Sequence, residues 1–162
     1  NKEKDYKVLK ETKILHQKRK NFSKLQILEF SILFIMLNYS KTILSRIEKI
    51  SEIKFLSEKN ETLKKNIINF CLKETDLEKI NSKISFEFKD VLSEISENSN
   101  VQLISKGKNQ EEILSLLDEL IVDLNKEKNL KKIETLENKL INNLDENSYS
   151  ELIKLKSQIN RE

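Results

Sequence analysis

Residues 109–144 read NQEEILSLLDELIVDLNKEKNLKKIETLENKLINNL. The apolar residues Ile113, Leu117, Leu120, Leu124, Leu130, Ile133, Leu136, Leu140 and Leu144 recur at three-, four- and six-residue steps, so one apolar stripe follows a helix surface. Thirty-six residues at about 1.5 Å each make a rod of roughly 54 Å, longer than a small domain is wide. Its far half must stand away from whatever the near half packs on. The last helical segment, Ser148–Ile159, is the only later one able to cover that half, and DENS at 145–148 is a loop short enough for antiparallel neighbours. Within the rod, NKEKN at 125–129 has no apolar residue, which marks either a bend or a solvated turn.

The boundaries of the rod carry their own signals. Gly107 is the only glycine of the chain, and it stands where a helix must end in the left-handed conformation that glycine adopts cheaply. Asn109 with Glu112 forms a capping-box pattern immediately after it, and Ser148 with Glu151 repeats the pattern before the last helix.

Upstream, the most apolar stretch is FSKLQILEFSILFIML at 22–37. Its most apolar part, broken only by Ser31, runs from Phe30 to Leu37, too short for the roughly twenty residues of a membrane span, so it reads as a central core helix. Ser40 can cap a short helix carrying Ile43, Leu44, Ile47 and Ile50. After SEIKF, Ser57 can start another with Leu63, Ile67, Phe70 and Cys71 on one side. A capping box at Thr75–Glu78 opens a helix with Leu77, Ile80 and Ile84. Phe88, Val91, Leu92 and Ile95 mark the next, and Val101, Leu103 and Ile104 add a last turn.

With no proline and one glycine among 162 residues, tight turns and phosphate loops have almost no means of forming. The fold class is therefore all-α: a compact multi-helix bundle at 22–106, then a long helix and a C-terminal helical hairpin at 107–162, with residues 1–21 as the end of a basic linker. The absence of an initiator methionine and of a signal peptide suggests a piece of a longer, cytoplasmic protein.

The net charge of +3 is unevenly spread. Residues 1–24 carry nine Lys or Arg against three Asp or Glu, whereas residues 109–162 carry eight against twelve. The basic leader can touch nucleic acid or remain a solvated linker; the acidic arm is expected to avoid DNA and to bind protein. Cys71 is the only cysteine and His16 the only histidine. No nucleophile triad, zinc-ligand spacing or Gly-rich phosphate loop can be assembled from them. We expect no catalytic, cofactor-binding or metal residues in this segment, and no enzyme.

The order of these pieces resembles a known arrangement. A basic leader enters an apolar helix with an embedded Glu29, in LQILEFSILFIMLNYSKTI; a short EIKF segment precedes a helix beginning SEKNETLKKNIINF; small helices, a long helix and a hairpin ending LIKLKSQINRE follow. This is similar to the C-terminal helicase-binding domain of bacterial replicative DNA primases of the DnaG type. The likeness covers about residues 22–162, although Tyr39 and Ser40 stand where His-Pro is common. It implies a hairpin that docks on the hexameric replicative helicase, a further contact with single-stranded-DNA-binding protein, and primer synthesis in domains outside this segment. No membrane partner and no direct nucleic-acid contact are expected.

Read from the residues alone, the hairpin cannot bury Ile141, Leu144, Tyr149, Leu152, Ile153, Leu155 and Ile159 all at once, because they wrap more than one face. The candidate partner anchors are Ile141, Tyr149, Ile153 and Leu155, rimmed by Lys154 and Lys156. Other readings of the same pattern are a helical adaptor or coiled-coil protein unrelated to replication, and a membrane-associated helix pair using Phe30–Leu37.

Overall fold

The computed structural model describes residues 22–73, 84, 87–142 and 145–159. The capping box at Thr75–Glu78, the positions Leu77, Ile80 and Leu144, and the leader with His16 lie outside them. All regular elements among the described residues are helical.

The apolar stretch forms α1 (Lys24–Asn38), and it is apolar because it is surrounded. Ile32, Leu33, Ile35 and Met36 are completely buried, and α1 packs against the later helices at 40–43, 58–73, 89–98, 101–105 and 110–142. Its start is fixed by a capping box in which the Gln26 N–H donates to Ser23 Oγ at 3.3 Å and the Ser23 N–H donates to Gln26 Oε1 at 2.9 Å. The Phe22 ring meets the Phe30 ring edge-on, 5.2 Å between centroids.

After Tyr39 the chain turns through α2 (Ser40–Ile43), a 3-10 turn at Leu44–Arg46 and α3 (Ile47–Glu52). Ser40 is not the cap expected from the sequence. It is the first helical residue and is buried, and the capping position falls to Tyr39, whose side chain makes no cap bond. The Tyr39 hydroxyl instead donates to the carbonyl of Ser105 at 3.3 Å, tying this turn to the end of the bundle. The 3-10 turn interrupts the anticipated helical face, so Leu44 faces solvent while Ile43 and Ile50 stay buried.

An extended stretch, Ile53–Leu56, leads into α4 (Glu58–Lys73). Ser57 accepts from the Asn60 N–H at 3.5 Å, and Leu63, Ile67 and Cys71 are buried as the spacing predicts. Burial pushes the Cys71 thiol up from its ordinary pKa, which makes it less reactive. Next come α5 (Lys89–Asn98), which buries Val91 and Ile95, and α6 (Val101–Ser105). Only Val101 of the last apolar trio is buried; Leu103 and Ile104 are exposed.

Gly107 has φ +80°, the conformation expected of it. The Asn109 and Glu112 side chains and backbone N–H groups then bond reciprocally at 2.8 and 2.9 Å. From this cap α7 (Gln110–Asn142) runs for 33 residues without a break, through the polar stretch at 125–129. Its near half buries Ile113, Leu117, Ile121 and Leu124 in the same core as α1. The periodicity placed Leu120 rather than Ile121 in this stripe, and the structure corrects it: steps of four, four and three from Ile113 keep to the α1 side, leaving Leu120 half-buried.

The far half of α7 builds a second, small core with α8 (Glu146–Ile159), made of Ile133, Leu136, Leu152 and Leu155 with Leu140 and Ile159 packed against it. Leu130, placed in the stripe by spacing, is 41% exposed. The start of α8 also differs from expectation. Asp145 is the cap, accepting from the Ser148 N–H at 3.0 Å and the Ser148 hydroxyl at 2.7 Å. These bonds hold the Asp145 carboxyl below its ordinary pKa. An ionised carboxylate outcompetes a hydroxyl as cap acceptor, so the helix starts before Ser148.

Candidate functional site

The hairpin has two flanks, each marked by an ion pair. Lys156 Nζ lies 2.7 Å from Glu137 on one side, and Lys132 pairs with Glu151 on the other. On α8, Tyr149, Ile153 and Lys156 fall at i, i+4 and i+7; on α7, Glu137 and Ile141 fall at i and i+4. Residues at these spacings share a helix face, so the Lys156–Glu137 pair brings Ile141, Tyr149 and Ile153 to one flank. Their exposures are 80%, 55% and 52%. Large apolar side chains clustered this way and rimmed by charge mark a protein contact.

Leu155 does not belong to this set. It is buried in the hairpin core between the two helices, because it lies three residues from Leu152 on the face that α8 turns to α7. Lys154 is exposed but lies off the Tyr149–Ile153 flank, while Lys156 lies on it and is held by Glu137.

A second feature was hidden in the sequence. Among the described residues no strand pairs with the extended stretch Ile53–Leu56, and side chains from three helices satisfy it instead. Lys64 donates to the Ile53 carbonyl and Lys128 to the Lys54 carbonyl. The Phe55 N–H donates to Glu61 at 2.8 Å, and the Leu56 N–H donates to Glu29. Glu29 also accepts from the Asn60 amide at 2.8 Å, and Lys64 pairs with Glu61 at 2.9 Å while lying 5.0 Å over the Phe55 ring. Glu29 and Lys64 are almost wholly buried, as unpaired charges cannot afford to be. Partial burial pushes the Glu61 carboxyl up, but the Phe55 N–H and Lys64 more than offset this and hold it below its ordinary pKa. Desolvation pushes the Lys128 ammonium down, with Glu29 acting against it.

Beside this stretch a groove of about 580 Å³ opens between the bundle and the far half of α7. Its apolar lining residues Leu25, Phe55 and Leu136 are each under 10% exposed, and only Leu56, at 55%, stands free. Lysines surround it: Lys54, Lys128, Lys131, Lys132 and Lys139, with Glu151 as the one carboxylate among the described residues that line it. Averaging the charge of the arm concealed this. Residues 109–124 hold five acids and no base, whereas residues 125–142 hold five lysines against three acids. Counting the two halves of the rod separately reveals the change of sign.

Among the described residues no group of three or more His, Cys, Asp and Glu could hold a metal ion. Among them, too, no single helix is long and apolar enough to cross a membrane; α1 and the helices after it pass that test only jointly, across a 103° bend. No family model matches this chain, and neither does any curated protein or solved structure.

Proposed function

We propose that this chain is a non-catalytic interaction domain of a bacterial DNA primase that binds the hexameric replicative helicase and so brings primase to the replication fork in the cytoplasm. The order of helices and the position of the embedded Glu29 suggest the family, with single-stranded-DNA-binding protein as a further partner. The observation that carries an interaction role is the flank of Ile141, Tyr149 and Ile153, exposed on a hairpin that projects from the main core. Paired helices are stiff, so such a flank presents its anchors with little ordering cost on binding.

The other reading, an adaptor that self-associates through the rod, has less to work with. The stripe of α7 is covered within the chain, by the bundle over its near half and by α8 over its far half, and a coiled coil needs a free, sustained stripe.

A titration of the intact chain against the replicative helicase of the same organism tests the proposal, with Ile141→Ser, Tyr149→Ser and Ile153→Ser as comparisons. Substitution is preferable to ending the chain at Lys108, because that cut strips Ile113, Leu117, Ile121 and Leu124 from the bundle core.

A further inference from the structure

We infer that the lysine-surrounded groove between the bundle and α7 binds the backbone of single-stranded nucleic acid. The groove could in principle take an acidic peptide, and its own shape decides between the two. A peptide is held by an apolar anchor sunk into a pocket, yet Leu25, Phe55 and Leu136 are already covered by their neighbours and leave Leu56 as the one open apolar side chain among the described residues that line the groove. The other open side chains along it are mostly lysines. Lys128 is spent on the Lys54 carbonyl and Lys132 on Glu151, but among the described residues no carboxylate pairs with Lys54, Lys131 or Lys139, and all three are exposed.

Lys131 and Lys139 lie eight residues apart on one rigid helix, roughly 12 Å along its axis, a separation that a flexible single strand can match with nearby phosphates. The chain also enters the fold beside this groove. Leu25 lines it, and the segment ending at Lys24 carries nine basic residues against three acidic ones. Of the acids of the arm, Glu111, Asp118, Glu119 and Asp123 belong to the near half of the rod and line a different depression, and Glu151, which does line the groove, is paired with Lys132. Contacts to phosphate carry no base preference and depend steeply on salt. The inference does not rest on the helicase reading and can fail without it.

The test is fluorescence anisotropy of labelled oligothymidylate, about twenty nucleotides long, titrated with the intact chain. Three proteins are compared: wild type, Lys54→Glu/Lys131→Glu/Lys139→Glu, and a leader variant, Lys18→Gln/Arg19→Gln/Lys20→Gln. The substituted groove lysines are exposed, and circular dichroism verifies that the variants fold. The expected result is salt-sensitive binding, with a slope of log affinity on log salt of about −2 for three phosphates. The groove variant should lose tenfold or more, and the leader variant less. An absence of binding at low salt, a groove variant within twofold of wild type, or loss confined to the leader variant overturns the inference. So does displacement of the oligonucleotide by an uncharged apolar peptide as readily as by polyphosphate.

Discussion

Glu29, in the middle of the most apolar helix, and Asn60, on α4, are joined by a buried hydrogen bond of 2.8 Å across 31 positions of sequence. With the Leu56 N–H donating to the same carboxylate, this bond fixes α1 to the extended stretch that leads into α4. Replacing Glu29 by Ala leaves the buried Asn60 amide and the partly buried Leu56 N–H without this partner, and an unsatisfied buried group costs about 1–3 kcal/mol. Glu29→Ala should therefore lower stability by about 2–5 kcal/mol in urea unfolding, against almost no change for Lys154→Ala on the hairpin surface.

Three carboxyls shape the acid response: Asp145, held down by its cap bonds to Ser148, and two in the bundle. Partial burial pushes Asp118 up, but the Lys49 hydrogen bond and charge, joined by Arg46 at 3.3 Å, bring it below its ordinary pKa; Glu61 is lowered in the same direction. In the window between their folded and unfolded pKa values the unfolded chain binds more protons than the fold does. The stabilisation is thus present above the ordinary carboxylate range and is lost as pH falls through about 4 and below. Urea midpoints measured from pH 7 to pH 3 should fall, and Asp118→Asn with Glu61→Gln should make the curve flatter and lower at neutral pH.

Gly107 offers a clean backbone test. A Cβ placed there meets nothing within 4 Å, so the cost of Gly107→Ala comes only from its φ of +80°. A left-handed residue other than glycine costs about 1 kcal/mol. The expected loss is of that size; a neutral or stabilising substitution would show that the turn relaxes into another conformation.

The two cores should open separately. Among the described residues the hairpin core is built of Ile133, Leu136, Leu152 and Leu155, whereas the bundle core extends over α1, α4, α5 and the near half of α7. Leu155→Ala removes one of four buried side chains at an expected cost of about 2–4 kcal/mol. Hydrogen exchange should quicken through α8 and residues 131–142 while α1 keeps its protection.

Much of this architecture was legible in spacing and caps. Gly107 and the Asn109–Glu112 box set the start of α7 because a positive φ and a reciprocal cap are written in residue type. The break at 125–129 was misleading in one respect: it lacks apolar residues, yet it contacts the bundle through Lys24–Glu127 and Lys128. A periodicity of apolar residues cannot register a polar joint. The same blindness hid the bonds that hold Ile53–Leu56, since Glu29, Glu61, Lys64 and Lys128 meet only after the helices pack. On the hairpin, Leu155 was grouped with Ile153 because both are apolar, and only the direction from which α7 covers α8 separates them.

Docking of the proposed Ile141, Tyr149 and Ile153 flank on the replicative helicase can be read from a calorimetric titration of that helicase with the intact chain. Binding should weaken tenfold or more in the Ile141→Ser/Tyr149→Ser/Ile153→Ser variant, a loss of at least about 1.4 kcal/mol, with the fold retained. No binding by the wild-type chain, or equal binding by the variant, would contradict it.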